Sequence, residues 1–299
     1  MGYGLKSNEQ IAEGLQRIAA EQVEGAVGEL EDGGDPHEAV HEARKSCKKV
    51  RAVLRLARDA MGGKAYRREN RRYRDAARRI SELRDSQALL ETMDAFESWL
   101  PLETGDLLTL REALCARRDA MLEDAQRRDL QAAVAADLKE GLAAIPDWPI
   151  PDGGFGIVAD GLERVYARGR KGLKTCRKKP SNENLHDWRK RAKYLRYQVR
   201  ILRPAWPKAM KVYQSALHEL SDRLGDDHDL AVFEAWVLGP DTVHPDSSAA
   251  RQLRAAIGER RARAQAAAWP LAQRIYAEKP DEFVRRLGRY WAADALNGS

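Results

Sequence analysis

Apolar residues recur every three or four positions along most of the chain, which is the pattern of helices that bury one face. Between residues 41 and 57, for example, Val50, Val53, Leu54 and Ala57 fall on one side of a helix drawn at about 100° per residue. This pattern predicts four helices in each half of the chain, over residues 7–31, 36–61, 64–100, 105–144, 157–178, 182–203, 206–238 and 246–295.

Proline, glycine and capping residues mark the ends of several predicted helices. Asp35 precedes Pro36, and Ser181 follows Pro180, and both pairs are typical of helix starts. The stretch 145–156, with the sequence IPDWPIPDGGFG, cannot continue a helix and is interpreted as a linker. Within the last predicted helix, Pro270 and Pro280 are positions at which the helix can break.

The composition agrees with an all-α fold. Alanine, leucine, arginine and glutamate, which are all abundant, are good helix formers. Nowhere are 18 apolar residues consecutive, so we expect no membrane-spanning segment and no membrane partner. Three cysteines at wide spacing indicate neither a disulfide framework nor a zinc site. These features favour a soluble cytoplasmic protein that uses no cofactor and no metal.

The chain contains an internal repeat. Residues 41–55 read HEARKSCKKVRAVLR and residues 186–200 read HDWRKRAKYLRYQVR, and later ISELRD at 80–85 aligns with LGDDHD at 224–229. A fixed period of this kind indicates duplication. We therefore predict two homologous four-helix-bundle repeats, at 1–148 and 149–299, related by pseudo-twofold symmetry. The first motif matches at six paired positions: His41/His186, Arg44/Arg189, Lys45/Lys190, Lys48/Lys193, Arg51/Arg196 and Arg55/Arg200.

Each copy of the first motif has one cationic face. On a helical projection the six residues from His41 to Arg55 lie within an arc of about 120°. Like charges at this spacing destabilise a helix by roughly 0.2–0.5 kcal/mol per pair, and no acidic residue lies on the arc. A bound polyanion would relieve this repulsion. A solvated charged face is the alternative interpretation, but the duplication of the pattern disfavours it.

Charge is concentrated around these two motifs. The net charge of the chain is +6, yet residues 42–84 hold 16 Lys/Arg against 5 Asp/Glu, and residues 164–211 hold 17 against 2. Clustered basic charge indicates an anionic partner. The helix after each motif adds basic residues in matching positions, so these faces are predicted to line a common channel: Lys64, Arg67 and Arg74 in the first half, and Lys208, Lys211 and His218 in the second.

The motifs at 41–51 and 186–196, with the ISELRD and LGDDHD stretches, resemble the CHAD family, the conserved histidine α-helical domain. The resemblance covers nearly the whole chain. It implies a two-repeat helical bundle without catalytic residues, which binds inorganic polyphosphate and can localise to polyphosphate granules. It also implies that the twelve paired positions of the two histidine motifs contact the polyphosphate.

Two other functions fit part of the pattern. A nucleic-acid-binding protein would explain the charge equally well, but the tryptophans do not interleave with the basic arc as base-stacking residues would. An enzyme acting on phosphates would need clustered carboxylates to hold Mg²⁺, and the basic segments contain few. Residues Asp226 to Asp229 could suggest a metal site, but they are consecutive, so their side chains would point in different directions on a helix. Asp85 and Asp229 are instead interpreted as structural residues that pair with an arginine. Structural ion pairs are likewise expected for Arg111, Arg118, Arg254 and Arg261.

Overall fold

The computed structural model describes residues 2–6, 9–99, 104–239 and 248–295, and these residues form helices and connecting loops without a strand. Residues 7, 8, 100, 246 and 247, which belong to predicted helices, lie outside the described residues. The helices are α1 (Ile11–Glu31), α2 (Pro36–Leu56), α3 (Gly63–Arg79), α4 (Ser81–Phe96), α5 (Thr104–Arg127), α6 (Leu130–Ala143), α7 (Gly156–Lys178), α8 (Asn182–Ile201), α9 (Pro207–Val237), α10 (Ser248–Ile275) and α11 (Pro280–Ala295).

The predicted all-α fold is confirmed, and so is the non-helical segment between α6 and α7. Three of the predicted helices are interrupted, so the prediction of four helices in each half was wrong. The break at Ile80 separates α3 from α4, whereas the corresponding helix α9 is continuous. Asp129 has a φ of 47°, in the left-handed region. It separates α5 from α6, because a residue in this backbone conformation cannot continue a right-handed helix. Helix α10 continues through Pro270 and ends at Ile275, and α11 begins at Pro280.

Two clusters of buried apolar residues hold the helices together. The larger cluster joins α1, α2, α3 and α6 to α7, α8, α11 and the first part of α9. The smaller one lies between α4 and α5 on one side and α9 and α10 on the other, with Met93 and Phe233 fully buried. Both clusters contain residues from both halves of the chain. The two halves are therefore packed against each other along shared cores.

Helices α2 and α8 pack directly on each other near the middle of the molecule. Their apolar sides are buried, and the Gln198 side chain donates a hydrogen bond of 3.4 Å to the carbonyl oxygen of Ala52. Each helix is fixed at its start as predicted. Asp35 accepts a hydrogen bond from the backbone N–H of His37, and Ser181 accepts one from Asn184, which satisfies N–H groups that a helix leaves unpaired. The two cationic faces are thus held side by side.

Candidate functional site

Helices α2, α4, α8 and α9 surround a cavity of about 650 Å³. Helices α2 and α8, which carry the two histidine motifs, both face this cavity. Both halves of the chain therefore contribute to one site. Ten of the predicted site residues line it: His41, Arg44, Lys45, Lys48, Arg51, His186, Arg189, Lys190, Lys193 and Arg196. The lining also includes Arg84 and Asp85 from α4 and His228 and Asp229 from α9. Among the described residues, nine Lys/Arg side chains but only two carboxylates line this cavity.

Lys48 and Lys193 occupy matching positions on α2 and α8. Within the described part of the chain, neither ammonium group has a hydrogen-bond acceptor or a carboxylate within ion-pair distance. Burial lowers the pKa of Lys48 to about 8, and repulsion from Arg44 and Arg189 adds to this. Burial, followed by repulsion from Arg189 and Lys48, lowers the pKa of Lys193 to about 7. Near neutral pH, Lys193 is therefore about half protonated, whereas Lys48 is mostly protonated.

Arg44 and Arg189 are fixed in the cavity wall by paired carboxylates. The Arg44 guanidinium lies 3.5 Å from Asp85 and donates a hydrogen bond of 3.2 Å to the carbonyl oxygen of Ala77. In the second half, Arg189 lies 3.8 Å from Asp229. The prediction that Asp85 and Asp229 pair with an arginine is confirmed. The Nε atoms of both arginines are buried without a hydrogen-bond partner, which is a cost to the folded protein.

Three histidines line the cavity: His41, His186 and His228. The His186 ring stacks on the His228 ring with centroids 4.5 Å apart, and Nδ1 of His228 lies 2.9 Å from Asp229. Burial and the neighbouring His228 lower the pKa of His186 to about 4. Burial and Arg84 lower the pKa of His41 as well. Both motif histidines are consequently neutral at physiological pH in the ligand-free protein.

The rim of the cavity carries cations that have carboxylate partners. Lys45 forms an ion pair with Glu42 at 2.6 Å, and Lys190 forms the matching pair with Asp187. Arg84 pairs with Glu91 at 2.7 Å. Local carboxylates therefore offset part of the charge at the rim. The two central lysines form no ion pair among the described residues, and Asp85 and Asp229 attract them only at longer range.

Eight predicted site residues lie outside the cavity lining. The guanidinium of Arg55 covers the ring of Tyr194 at 3.9 Å, and that of Arg200 lies 5.6 Å from the ring of Tyr3. The other six are exposed: Lys64, Arg67, Arg74, Lys208, Lys211 and His218. The predicted common channel with α3 and the start of α9 is not what the structure forms. In α3 the apolar side, with Tyr66, Tyr73 and Ala76, faces the core and turns the cations outward.

Helical spacing in the sequence does not identify some residues that the structure places at the site. Arg84 and His228 occupy equivalent positions in the ISELRD and LGDDHD stretches, and that alignment was the available signal. Because this position holds arginine in the first half and histidine in the second, the residue types did not indicate that it belongs to the site. Tyr194 and Tyr197 also line the cavity. They lie on the helix next to the basic residues, and helical spacing does not show which side of a basic stripe borders a cavity.

Neighbouring acidic residues of α9 have separate partners. Asp227 is buried and accepts hydrogen bonds from Arg261 at 3.1 Å and Gln265 at 2.8 Å. Asp229 faces the cavity instead, so these carboxylates diverge as predicted. Three of the four expected structural ion pairs are present, for Arg111 with Asp94, Arg118 with Asp119, and Arg261 with Asp227. Arg254 forms no ion pair among the described residues.

Comparison with known proteins decides the family. A family model described as the CHAD domain matches residues 9–238. The chain belongs to the CHAD domain family. This confirms the resemblance of the histidine motifs, and the matched segment includes the four helices that line the cavity.

Two solved structures share the fold. PptA from Streptomyces chartreusis is 15% identical, with a TM-score of 0.60, and the alignment covers 90% of this chain and 100% of that one. The CHAD domain from the plant Ricinus communis is 15% identical, with a TM-score of 0.55, covering 96% of this chain and 94% of that one. No curated protein sequence matches the chain. Among the described residues of this CHAD protein, no helix has the length and apolarity needed to cross a membrane.

Proposed function

We propose that this CHAD protein binds inorganic polyphosphate in the cavity between α2, α4, α8 and α9. The observation that carries the proposal is the pair Lys48 and Lys193, two partly buried amines from opposite halves that have no acidic partner among the described residues. Such an arrangement is costly in an empty protein, and phosphate oxygens from a bound chain would compensate it. Arg44 and Arg189 also line the cavity, so their guanidinium groups would bind the same chain.

Matching contacts in the two halves support the predicted pseudo-twofold relation of the repeats. Arg44 with Asp85 and Arg189 with Asp229 form equivalent pairs, and Lys48 and Lys193 occupy equivalent places. We infer that the repeats 1–148 and 149–299 each supply half of one continuous polyphosphate site. Recruitment to cytoplasmic polyphosphate granules would follow from this binding.

Polyphosphate is favoured over nucleic acid by the aromatic residues of the site. Base recognition without sequence preference relies on exposed rings on which bases stack. Tyr194 and Tyr197 are the aromatic residues among those that line the cavity, and both are buried. The guanidinium of Arg55 also covers the ring of Tyr194. A nucleic acid would find cations in this cavity, but no exposed tyrosine ring among the residues that line it.

We propose a binding role rather than a catalytic one. Phosphoryl transfer assisted by Mg²⁺ uses carboxylates to hold the metal beside the phosphates. Asp85 and Asp229, the carboxylates that line this cavity, each face an arginine. Their charge is therefore directed to positioning arginines. Release of orthophosphate during incubation with the purified protein would contradict this role.

The proposed function is tested by titrating the protein with long-chain polyphosphate in the presence of RNA or duplex DNA. We expect polyphosphate to bind tightly and the nucleic acids to compete poorly at equal phosphate concentration. Equal or stronger binding of RNA or DNA would favour the nucleic-acid alternative.

Polyphosphate binding should also take up protons. In the free protein the pKa of Lys193 is about 7 and that of Lys48 about 8, and a bound polyanion raises both because it favours the charged amines. Near pH 8 we therefore expect an uptake of about one to two protons per protein, and an affinity that falls as pH rises through this range. Calorimetry in buffers of different ionisation enthalpy measures this number, and proton release on binding would contradict the assignment.

A further inference from the structure

The two ends of the α2–α8 pair are built differently. At the end near Arg200, residues 2–6 cover the helices. Tyr3 is buried there, donates a hydrogen bond of 2.9 Å to the carbonyl oxygen of Lys49, and places its ring edge 5.8 Å from Tyr197. Arg196 at this side faces Asp222 at 3.9 Å. This end is therefore covered by an aromatic residue and carries an acidic side chain.

Basic side chains continue from the cavity at the other end. Arg51 lines the cavity, and both Arg51 and Arg55 donate hydrogen bonds to the Asn70 side chain, at 3.2 and 3.0 Å. Arg55 covers Tyr194, which is itself part of the cavity lining. Arg55 thus extends the cationic stripe of α2 beyond the cavity.

Past Arg55 lies a group of three arginines from three elements: Arg58, Arg168 and Arg191, here called the exit cluster. Helix α7 crosses α2 very closely at Gly161, where a Cβ atom would lie 2.1 Å from the carbonyl oxygen of Leu56. This crossing, which requires glycine, brings the following turns of α7 alongside the end of α2.

The exit cluster is not neutralised. Among the described residues, no member has a carboxylate within ion-pair distance, whereas nearby Arg164 pairs with Asp59 at 3.0 Å. Arg168 is exposed, and its pKa is lowered by burial and then by repulsion from Arg191, Arg58 and Arg164. Arg191 also repels Arg55. Asp59, Asp160 and Glu163 line the same surface pocket as Arg168, but none of them forms an ion pair with the exit cluster. Three neighbouring guanidinium groups without an ion pair form a local positive potential that attracts anions.

We propose that a polyphosphate chain longer than the cavity leaves it on one side, past Tyr194 and Arg55, and binds the exit cluster. This inference rests on the proposed function. It makes the site directional, because Tyr3 covers the Arg200 end, whereas the Arg55 end continues into arginines that form no ion pair among the described residues. It also predicts that long chains gain affinity over short ones through residues outside the cavity.

The test compares tripolyphosphate with long-chain polyphosphate on two double variants. Arg168→Gln with Arg191→Gln removes two cations of the exit cluster. Lys174→Gln with Arg177→Gln removes two exposed cations from other faces of α7 and is the matched control. We expect the exit-cluster variant to lose about tenfold in affinity for the long chain, with tripolyphosphate affinity unchanged, and the control to keep both affinities.

The outcomes separate this inference from the function on which it rests. An equal loss for both ligands would indicate a general electrostatic effect and would overturn the directional exit, as would an unchanged long-chain affinity. In both cases the binding of tripolyphosphate and long-chain polyphosphate to the native protein would stand. Absence of polyphosphate binding to the native protein would instead refute the proposed function itself.

Discussion

Replacement of Lys48 and Lys193 by methionine is expected to weaken polyphosphate binding by about 100-fold while making the ligand-free protein more stable. Two charge-assisted contacts to phosphate contribute about 3 kcal/mol together, which corresponds to about 100-fold in the dissociation constant. The stability change has the opposite sign, because methionine fills a similar volume without an amine that is partly desolvated and repelled by its neighbours.

The measurements for this double variant are a polyphosphate titration and a thermal unfolding curve without ligand. A rise in Tm of about 2 °C corresponds to about 1 kcal/mol in a large domain. The matched control is Lys208→Met with Lys211→Met, which removes two exposed lysines that the sequence predicted as ligands and the structure places outside the cavity. A loss of affinity in the control as large as in the cavity variant would show that the binding surface extends to the exposed start of α9. A lower Tm for the cavity variant would show that the two lysines stabilise the fold.

The second large effect is expected on stability, from Arg261→Ala in α10. Asp227 of α9 is almost completely buried, and Arg261 supplies its positive partner at 3.1 Å. Removal of one member of a buried ion pair leaves the other charge uncompensated, which costs about 3–5 kcal/mol in the free energy of unfolding. Denaturation by urea measures this loss.

Arg263→Ala is the matched control for this change. Arg263 lies on the same helix and pairs with Glu259, but both side chains are largely exposed, so its removal should change the free energy of unfolding by less than about 0.5 kcal/mol. Similar losses for both variants would show that the Asp227 pair has no special role. The result matters for the site because Asp227 directly precedes His228 and Asp229, which line the cavity.

Much of the cavity could be predicted from sequence because its main elements are local. The cationic stripes of α2 and α8 follow from helical spacing alone, and the internal repeat indicated that the two stripes have equivalent roles. The starts of these helices at Asp35 and Ser181 were also readable, since capping depends on neighbouring residues. Ten of the eighteen predicted site residues line the cavity for this reason.

The sequence did not predict features of the site that depend on how the helices are rotated against each other. Lys64 and Arg67 do share a face of α3, but Tyr66 and Tyr73 on the other face pack into the core and direct those cations to solvent. The stacking of His186 on His228 joins two helices, and no periodicity within either helix encodes it. Likewise, the break at Ile80 lies in a segment whose apolar spacing resembles that of the continuous helix α9.

Binding of polyphosphate in the cavity can be measured by titrating two proteins at several salt concentrations: the native protein, and a variant with Arg44, Lys48, Arg189 and Lys193 changed to glutamate. We predict tight, salt-sensitive binding to the native protein, because binding that neutralises phosphates weakens as salt rises, and no measurable binding to the folded variant. Unchanged polyphosphate affinity in that variant, with its helical content and unfolding transition intact, would contradict binding in this cavity.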